Sequence, residues 1–371
     1  MKAKITRSNL LKALTQCGKA IQSSAIHPVL SNYYLDFRHN TLQVTGSNLR
    51  MTIMGQVDCE FEDSFAFCVP VKTFLETIKS LPEQPIELHL SEADITVKSA
   101  QGVYKLAIEP SGEYPDTFKL GKFKAAFSLD KWELNHTIKR TIISISKDEL
   151  RPAMTGLLFE TDAKMVKVVS TDAHMLSSVT LTDVQIEEEL RVVIPAKELN
   201  GAASVIEAEH VKLSFYDNFL KIDEGTTYIY IQLIDSIFPN YQQVVTQSHQ
   251  YAIEIDRERL SGALKRIGNF ANQKSNHIKI TFDKAEGTNR MTIGAKDLDT
   301  NREGFEVFDV QSKRYPIWMT MGFNVKLLQS AVDSFDSESV TLLINTANQA
   351  ALLKRETDSE DFVLIMPVNL S

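Results

Sequence analysis

Asp172 and His174 are the acid–imidazole pair most worth weighing in this 371-residue chain, and general-base catalysis is the chemistry they could perform. On a strand their side chains would point to one side, yet no nucleophile or third partner accompanies them. A binding or structural role is therefore expected for His174. The chain has no Gly-rich phosphate loop, no His-Glu-x-x-His, no Gly-x-Ser-x-Gly and no Cys-x-x-Cys. Glu187-Glu188-Glu189 and Asp358-Ser359-Glu360-Asp361 read as solvated loops, so a hydrolase working with paired carboxylates lacks its cleft. Cys17, Cys59 and Cys68 are odd in number and without metal spacing, which predicts buried reduced thiols, no disulfide and no metal.

The other chemistry on offer is charge. A formal net charge of -8 argues against nucleic acid only if charge is evenly spread. It is not: Lys12 and Lys19, Lys72 and Lys79, Lys139 and Arg140, Lys197, Lys265 and Arg266, and Lys326 fall on stretches that recur along the chain. A cationic face on an acidic body would suit phosphates.

Those stretches belong to a threefold repeat. Ile5-Thr6-Arg7-Ser8-Asn9-Leu10 is answered by Leu129-Asp130-Lys131-Trp132-Glu133-Leu134 and by Ile255-Asp256-Arg257-Glu258-Arg259-Leu260, with Leu10, Leu134 and Leu260 spaced 124 and 126 residues apart. That period fits whole domains rather than a solenoid. A second element, Val69-Pro70-Val71-Lys72, returns as Ile194-Pro195-Ala196-Lys197 and more loosely as Phe323-Asn324-Val325-Lys326. Each proline is expected just inside a helix start, so each third carries two helices.

Between the helices the apolar period falls to two. Ile86, Leu88 and Leu90 alternate with polar residues, as do Ile95 and Val97, then Tyr104, Leu106 and Ile108. Val211, Leu213 and Phe215, then Tyr228, Tyr230 and Gln232, are the counterparts in the second third; Ile278, Ile280 and Phe282, then Thr341 to Ile344, serve the last. These read as half-buried antiparallel strands, separated by turns such as Asp217-Asn218 and Glu286-Gly287. The fold class is α+β, each third a sheet covered on one face by its helices. With 43% apolar and 24% charged residues and no long apolar run, a soluble chain with ample core is expected. Lys2, Lys4 and Arg7 are followed by Ser8-Asn9 and Lys12, not by the apolar stretch of a secretory signal, so a cytoplasmic location is expected.

Four segments laid on the repeat carry a family resemblance: Pro28-Val29-Leu30-Ser31-Asn32, Ser170-Thr171-Asp172-Ala173-His174-Met175-Leu176, Phe238-Pro239-Asn240-Tyr241, and the ending Met366-Pro367-Val368-Asn369-Leu370. In order and spacing, over the whole length, the chain resembles the bacterial DNA polymerase III beta subunit, the sliding-clamp family. The resemblance implies three clamp domains, at 1–122, 123–248 and 249–371, and a head-to-tail homodimer closing a six-domain ring around duplex DNA. It implies a processivity factor without catalysis or cofactor of its own.

Lys12, Lys72, Lys79, Lys139, Arg140, Lys197, Lys265, Arg266 and Lys326 would then face the phosphates of the encircled duplex, giving sequence-independent, salt-sensitive contact. Ring closure is implied at the edge strand with Tyr104, Leu106 and Ile108, opposite Ile267, Phe270 and Ala271. A pocket between the second and third domains would take short linear peptides from the DNA polymerase III catalytic subunit, other polymerases, the clamp loader and repair proteins. Its matching positions are Met154, Thr171, His174, Met175, Leu176, Pro239 and Val244, together with Ile365, Met366, Pro367, Val368 and Leu370 near the chain's end. The chain departs from the family pattern in several places. Ala173 stands where glycine is usual and Met175 and Gln243 where arginine is frequent, which implies a less basic pocket. Ser24 lies where some relatives carry an arginine near DNA, and Ser371 extends past the usual terminal leucine. The alternative is a peptide-binding scaffold that does not encircle DNA.

Overall fold

Each helix of the computed structural model starts where a strand stops, and the junction residues explain why. The structure describes residues 1–21, 27–61, 63–116, 118–162, 165–181, 183–184, 186–246, 248–285, 287–310, 312 and 314–370; Ser24, Glu286 and Ser371 lie outside the described residues. The helices are α1 (Arg7–Gly18), α2 (Val71–Ser80), α3 (Lys131–Thr141), α4 (Ala196–Ala203), α5 (Arg257–Gly268) and α6 (Val325–Asp333). Asp256 caps α5 by accepting from the Arg259 N–H at 2.6 Å, and Asn324 caps α6 by accepting from Lys326 and Leu327 at 3.0 and 3.3 Å.

The two prolines sit one step earlier than expected. Pro70 and Pro195 are the last residues of their strands and precede the helices, with φ of -58° and -57° and extended ψ of 125° and 122°. Pro70 still stands opposite Asn32 in the sheet. The ring's fixed φ serves the strand end and the helix entry alike.

The chain divides into two compact units, Met1–Asn135 with Asp183–Asp235, and His136–Thr182 with Ser236–Ser371. In the first unit the strand order of one sheet is Glu60–Phe61, Lys2–Thr6, Pro85–Leu90, Asp94–Lys98 and Val103–Ala107. Its pairings are antiparallel, as the two-residue period requires, with Ile86, Leu88, Ile95 and Val97 facing inward. A longer antiparallel sheet joins Met51–Asp58 to Thr227–Gln232, so the two chain segments of this unit share one ladder. In that strand the inward residues are Ile229 and Ile231, not Tyr228 and Tyr230 as read from sequence. The tyrosines use their amphipathic rings at the surface: Tyr228 lies under the Lys221 ammonium and Tyr230 stacks on Phe118. α1 and α2 pack side by side and cover this unit's sheet.

In the second unit the antiparallel order runs Gly156–Asp162, Met165–Thr171, Met175–Leu181, Phe362–Ile365, Ala351–Lys354, Ser339–Ile344 and Tyr251–Asp256. A separate four-stranded sheet is ordered Arg302–Asp309, Thr288–Asp297, His277–Ala285 and Trp318–Asn324. α5 and α6 pack together over a core that includes Leu260, Leu264, Phe282, Phe308, Phe323 and Leu328. Cys17, Cys59 and Cys68 are buried and free, and burial pushes their thiols up to about 12, 11 and 12 respectively. Such thiols are inert.

Candidate peptide groove, basic helix faces and open sheet edges

Asp172, Ala173 and His174 form a turn between the strands Met165–Thr171 and Met175–Leu181, and the polar side chains at its start bond to its own backbone. The Asp172 carboxylate accepts from the His174 and Met175 N–H groups at 2.8 and 2.6 Å. The Thr171 hydroxyl donates to the Met175 carbonyl at 2.7 Å and accepts from the Ala173 N–H at 3.2 Å. Asp172 thus serves the turn's backbone, in keeping with a structural role. Ala173 takes a left-handed φ of 76°, the conformation that explains a glycine preference at this place.

This turn presents the end of one strand to the last segment of the chain. Met175 stands opposite Ile365 in the ladder, and the Met366 N–H donates to the His174 carbonyl at 2.8 Å. Farther on, the Val368 N–H donates to the Gly322 carbonyl at 2.9 Å. Gly322 is required: a Cβ there would stand 2.5 Å from the Val368 carbonyl oxygen and 2.8 Å from the Leu370 side chain. His174, Pro239, Val244, Met366 and Leu370 are exposed, and Pro367 and Val368 half-buried, so these positions can meet a ligand. Met175, Leu176 and Ile365 cannot do so with their side chains. They are almost wholly buried, Met175 and Ile365 within the unit's hydrophobic core, because alternate residues of paired strands must fill that core. Met154 and Thr171 are likewise buried.

Sequence reading missed Gly322, and it quoted Tyr241 only as part of a motif. The Tyr241 hydroxyl donates to the buried Glu160 carboxylate, tying the segment that bears Pro239 and Val244 onto the strand Gly156–Asp162. An isolated glycine in an alternating stretch is the signal that could have marked a close backbone approach.

Lys12, Lys72, Lys79, Lys139, Lys197, Lys265 and Lys326 are exposed on their helices. Lys12 pairs with Glu207 at 2.7 Å, Lys79 with Glu76 at 3.7 Å and Lys265 with Asp333 at 3.7 Å, contacts that surface screening keeps weak enough for a phosphate to replace. Arg266 is engaged more firmly, its guanidinium forked onto Glu306 at 2.7 and 2.8 Å. Arg140 is a correction. It is only 6% exposed, bonded to Asp361 at 2.5 Å and lying over the Phe335 ring, so it faces the protein interior and not a duplex.

The strand Val103–Ala107 is an edge of its sheet, with Val103 and Tyr104 exposed. Leu106 turns inward and is buried, and Ile108 follows the strand's end half-buried. The strand Arg302–Asp309 is likewise an edge, and Phe305 and Val307 project from it, exposed. Phe270 is partly exposed against Gly304 on that edge, where a Cβ would come within 3.0 Å of its ring. Ile267 and Ala271 are core residues instead, because they lie on the inner side of the helix end. Val103, Phe305 and Val307 thus replace Leu106, Ile267 and Ala271 as the surface-facing apolar residues of the two edges. Among the described residues no group of His, Cys, Asp and Glu could hold a metal ion, and no helix is long and apolar enough to cross a membrane.

Comparison with known families matches residues 1–118 to the N-terminal domain, 128–240 to the central domain and 242–369 to the C-terminal domain of the DNA polymerase III beta subunit. The chain is 26% identical over 377 residues to the beta sliding clamp of Vibrio cholerae, covering 100% of both chains. The Haemophilus influenzae beta sliding clamp gives the same identity and coverage. Among solved structures, the DNA polymerase III subunit beta of Pseudomonas aeruginosa shares the fold with a TM-score of 0.92 at 24% identity, over 100% of both chains. A sliding clamp of the same organism bound to griselimycin aligns with a TM-score of 0.91 at 24% identity, again over 100% of both chains. With three domain families matched in order from end to end, this chain belongs to the DNA polymerase III beta subunit family, the bacterial sliding clamps.

Proposed function

We propose that two copies of this chain close head to tail into a ring that encircles duplex DNA and tethers the replicative polymerase as its processivity factor. The observation that carries this reading is the pair of open sheet edges, Val103–Ala107 and Arg302–Asp309, each showing apolar side chains to solvent. An edge of this kind templates another strand, and a head-to-tail pairing of two different edges closes into a ring of two when each copy turns the path by half a circle. In this reading the domains are 1–122, 123–248 and 249–371, and the ring acts in the cytoplasm without metal or cofactor.

The exposed lysines of the six helices supply attraction to phosphate without base contacts, which permits sliding. Arg140 is omitted from that set. Topological linkage, not tight binding, holds the ring on DNA, so a net charge of -8 is compatible with the task. Polymerase, clamp loader and repair proteins insert short peptides beside His174, Pro239, Val244, Met366, Pro367, Val368 and Leu370, where adaptable Met and Leu side chains accept more than one sequence. The chain itself turns over no substrate.

The test is to load the protein onto nicked circular DNA with a clamp loader, linearise the DNA, and filter at moderately high salt. Retention on circles with loss from linear ends is expected. Equal retention on both forms would favour a scaffold that binds peptides without encircling DNA.

A further inference from the structure

Trp318 and its neighbour Ile317 stand 73% and 79% exposed at the start of the strand Trp318–Asn324. That strand is an edge of the four-stranded sheet, and it already takes a guest: Val368 forms an antiparallel bridge with Gly322 through the chain's own last segment. Backbone groups of alternate residues face one side of a strand, so those of Thr320 and Trp318 face the side that Gly322 offers to Val368. Side chains alternate too, placing Trp318, Thr320 and the Cα of Gly322 on the face over which Leu370 lies. On the adjoining strand Thr281 stands opposite Thr320, their hydroxyls 3.3 Å apart, and Asp283 stands opposite Trp318 with its carboxylate forked onto Arg290. From Thr320 to the indole the path therefore crosses hydroxyls and a carboxylate already matched by an arginine. An apolar chain laid along it desolvates little.

We infer that Trp318, with Ile317 beside it, is an annex of the peptide groove that takes a bulky apolar side chain of a partner peptide lying extended along this strand edge. This inference rests on the groove reading above. An extended peptide is the occupant because the Val368–Gly322 bridge already uses the same edge in that way, and strand addition joins main-chain bonds to pockets for alternate side chains. Gly322 and Trp318 are four residues apart, roughly 13 Å of strand, which sets the spacing between the groove-filling residues and the one that meets the indole. A flat, rigid indole favours an aromatic or large aliphatic side chain.

The chain has two tryptophans, so Trp132→Phe leaves Trp318 as the sole indole reporter. The probes are a six-residue peptide ending in two apolar residues, and versions lengthened by four residues at either end that finish in phenylalanine or serine. One phenylalanine-bearing extension should bind roughly tenfold tighter than the short peptide, as burial of one large apolar side chain predicts, and should shift Trp318 emission to the blue. The serine extensions should do neither. In Trp318→Ala the gain should vanish while the short peptide keeps its affinity. An undiminished gain in Trp318→Ala, or no gain from any extension, overturns the annex alone. If the short peptide fails to bind and Met366→Asp changes nothing, the groove reading falls and the annex with it.

Discussion

The phenol of Tyr241 donates to the carboxylate of Glu160 at 2.5 Å, with both residues buried. Burial, then the bond to Glu160, pushes the phenol well above its ordinary pKa, so it stays a donor throughout the physiological range. The bond fixes the segment that carries Pro239 and Val244. Tyr241→Phe keeps the ring beside Phe238 but removes the donor, and should cost about 1–3 kcal/mol. Denaturant unfolding reads the loss, and weaker peptide binding with normal retention on circular DNA should accompany it. Unchanged stability would mean that the pair does not anchor this wall.

Ala173 holds a φ of 76° that an L side chain adopts at a cost. Releasing it with Ala173→Gly should raise stability by roughly 0.5–1 kcal/mol, the steric relief exceeding the added flexibility of the unfolded chain. Because the turn is pinned by Asp172, peptide affinity should change little. A lower unfolding midpoint in this variant would show that the methyl group packs productively.

Lys139 and Arg140 are adjacent in α3 and should respond oppositely. Lys139→Ala removes an exposed charge, so stability should hold while the salt dependence of DNA contact flattens by about one ion per copy. Arg140→Ala strands the Asp361 carboxylate, which also accepts from the Thr180 N–H at 2.8 Å, and should cost about 3 kcal/mol. Fluorescence-monitored unfolding and salt titration on short duplex DNA separate the two effects. A destabilised Lys139 variant beside a neutral Arg140 variant would reverse the assignment.

Sedimentation tests the edges. Phe305→Glu places a charge on an exposed edge residue and should give a folded monomer. Leu106→Glu buries a charge inside its own sheet and should unfold that unit before any effect on assembly can be read. A Phe305→Glu protein with dimer mass would remove this edge from the interface.

Sequence made the repeat legible because helices and alternating strands announce their periods locally. Leu10, Leu134 and Leu260, quoted as anchors of the repeat, are all buried in helices that follow a strand. Direction was harder to read than element type. Leu106, Met175 and Ile267 lie in the expected segments yet point inward, because a strand or helix beside a partner site also serves its own core. Arg140 reads as a basic helix residue until Asp361, far along the chain, supplies its counter-charge. Gly322 matters because Val368 and Leu370 cross it, a long-range approach that no local pattern encodes.

His136 gives the pH dependence a sign. Burial first, and then the nearby Arg140, lower its pKa below the ordinary 6.5, with Asp336 and Asp361 opposing and Lys139 adding to the decrease. His249 is lowered as well, by burial and then by Lys354 and Arg314. Below about 6.5 the unfolded chain takes up protons that the folded chain resists, so stability is complete above that pH and declines as pH falls toward the folded-state values. Unfolding midpoints from pH 7.5 down to 5 should therefore drop in the wild type. His136→Asn should flatten part of that slope and His249→Asn another part, the two adding because they report separate protonations. Equal slopes in wild type and double variant would place the acid sensitivity outside these two imidazoles; Asp333, whose pKa lies below its ordinary value because the opposing effect of burial is outweighed by hydrogen bonds from Ser261 and Gln329 and by Lys265, loses its contribution only at pH values below this range.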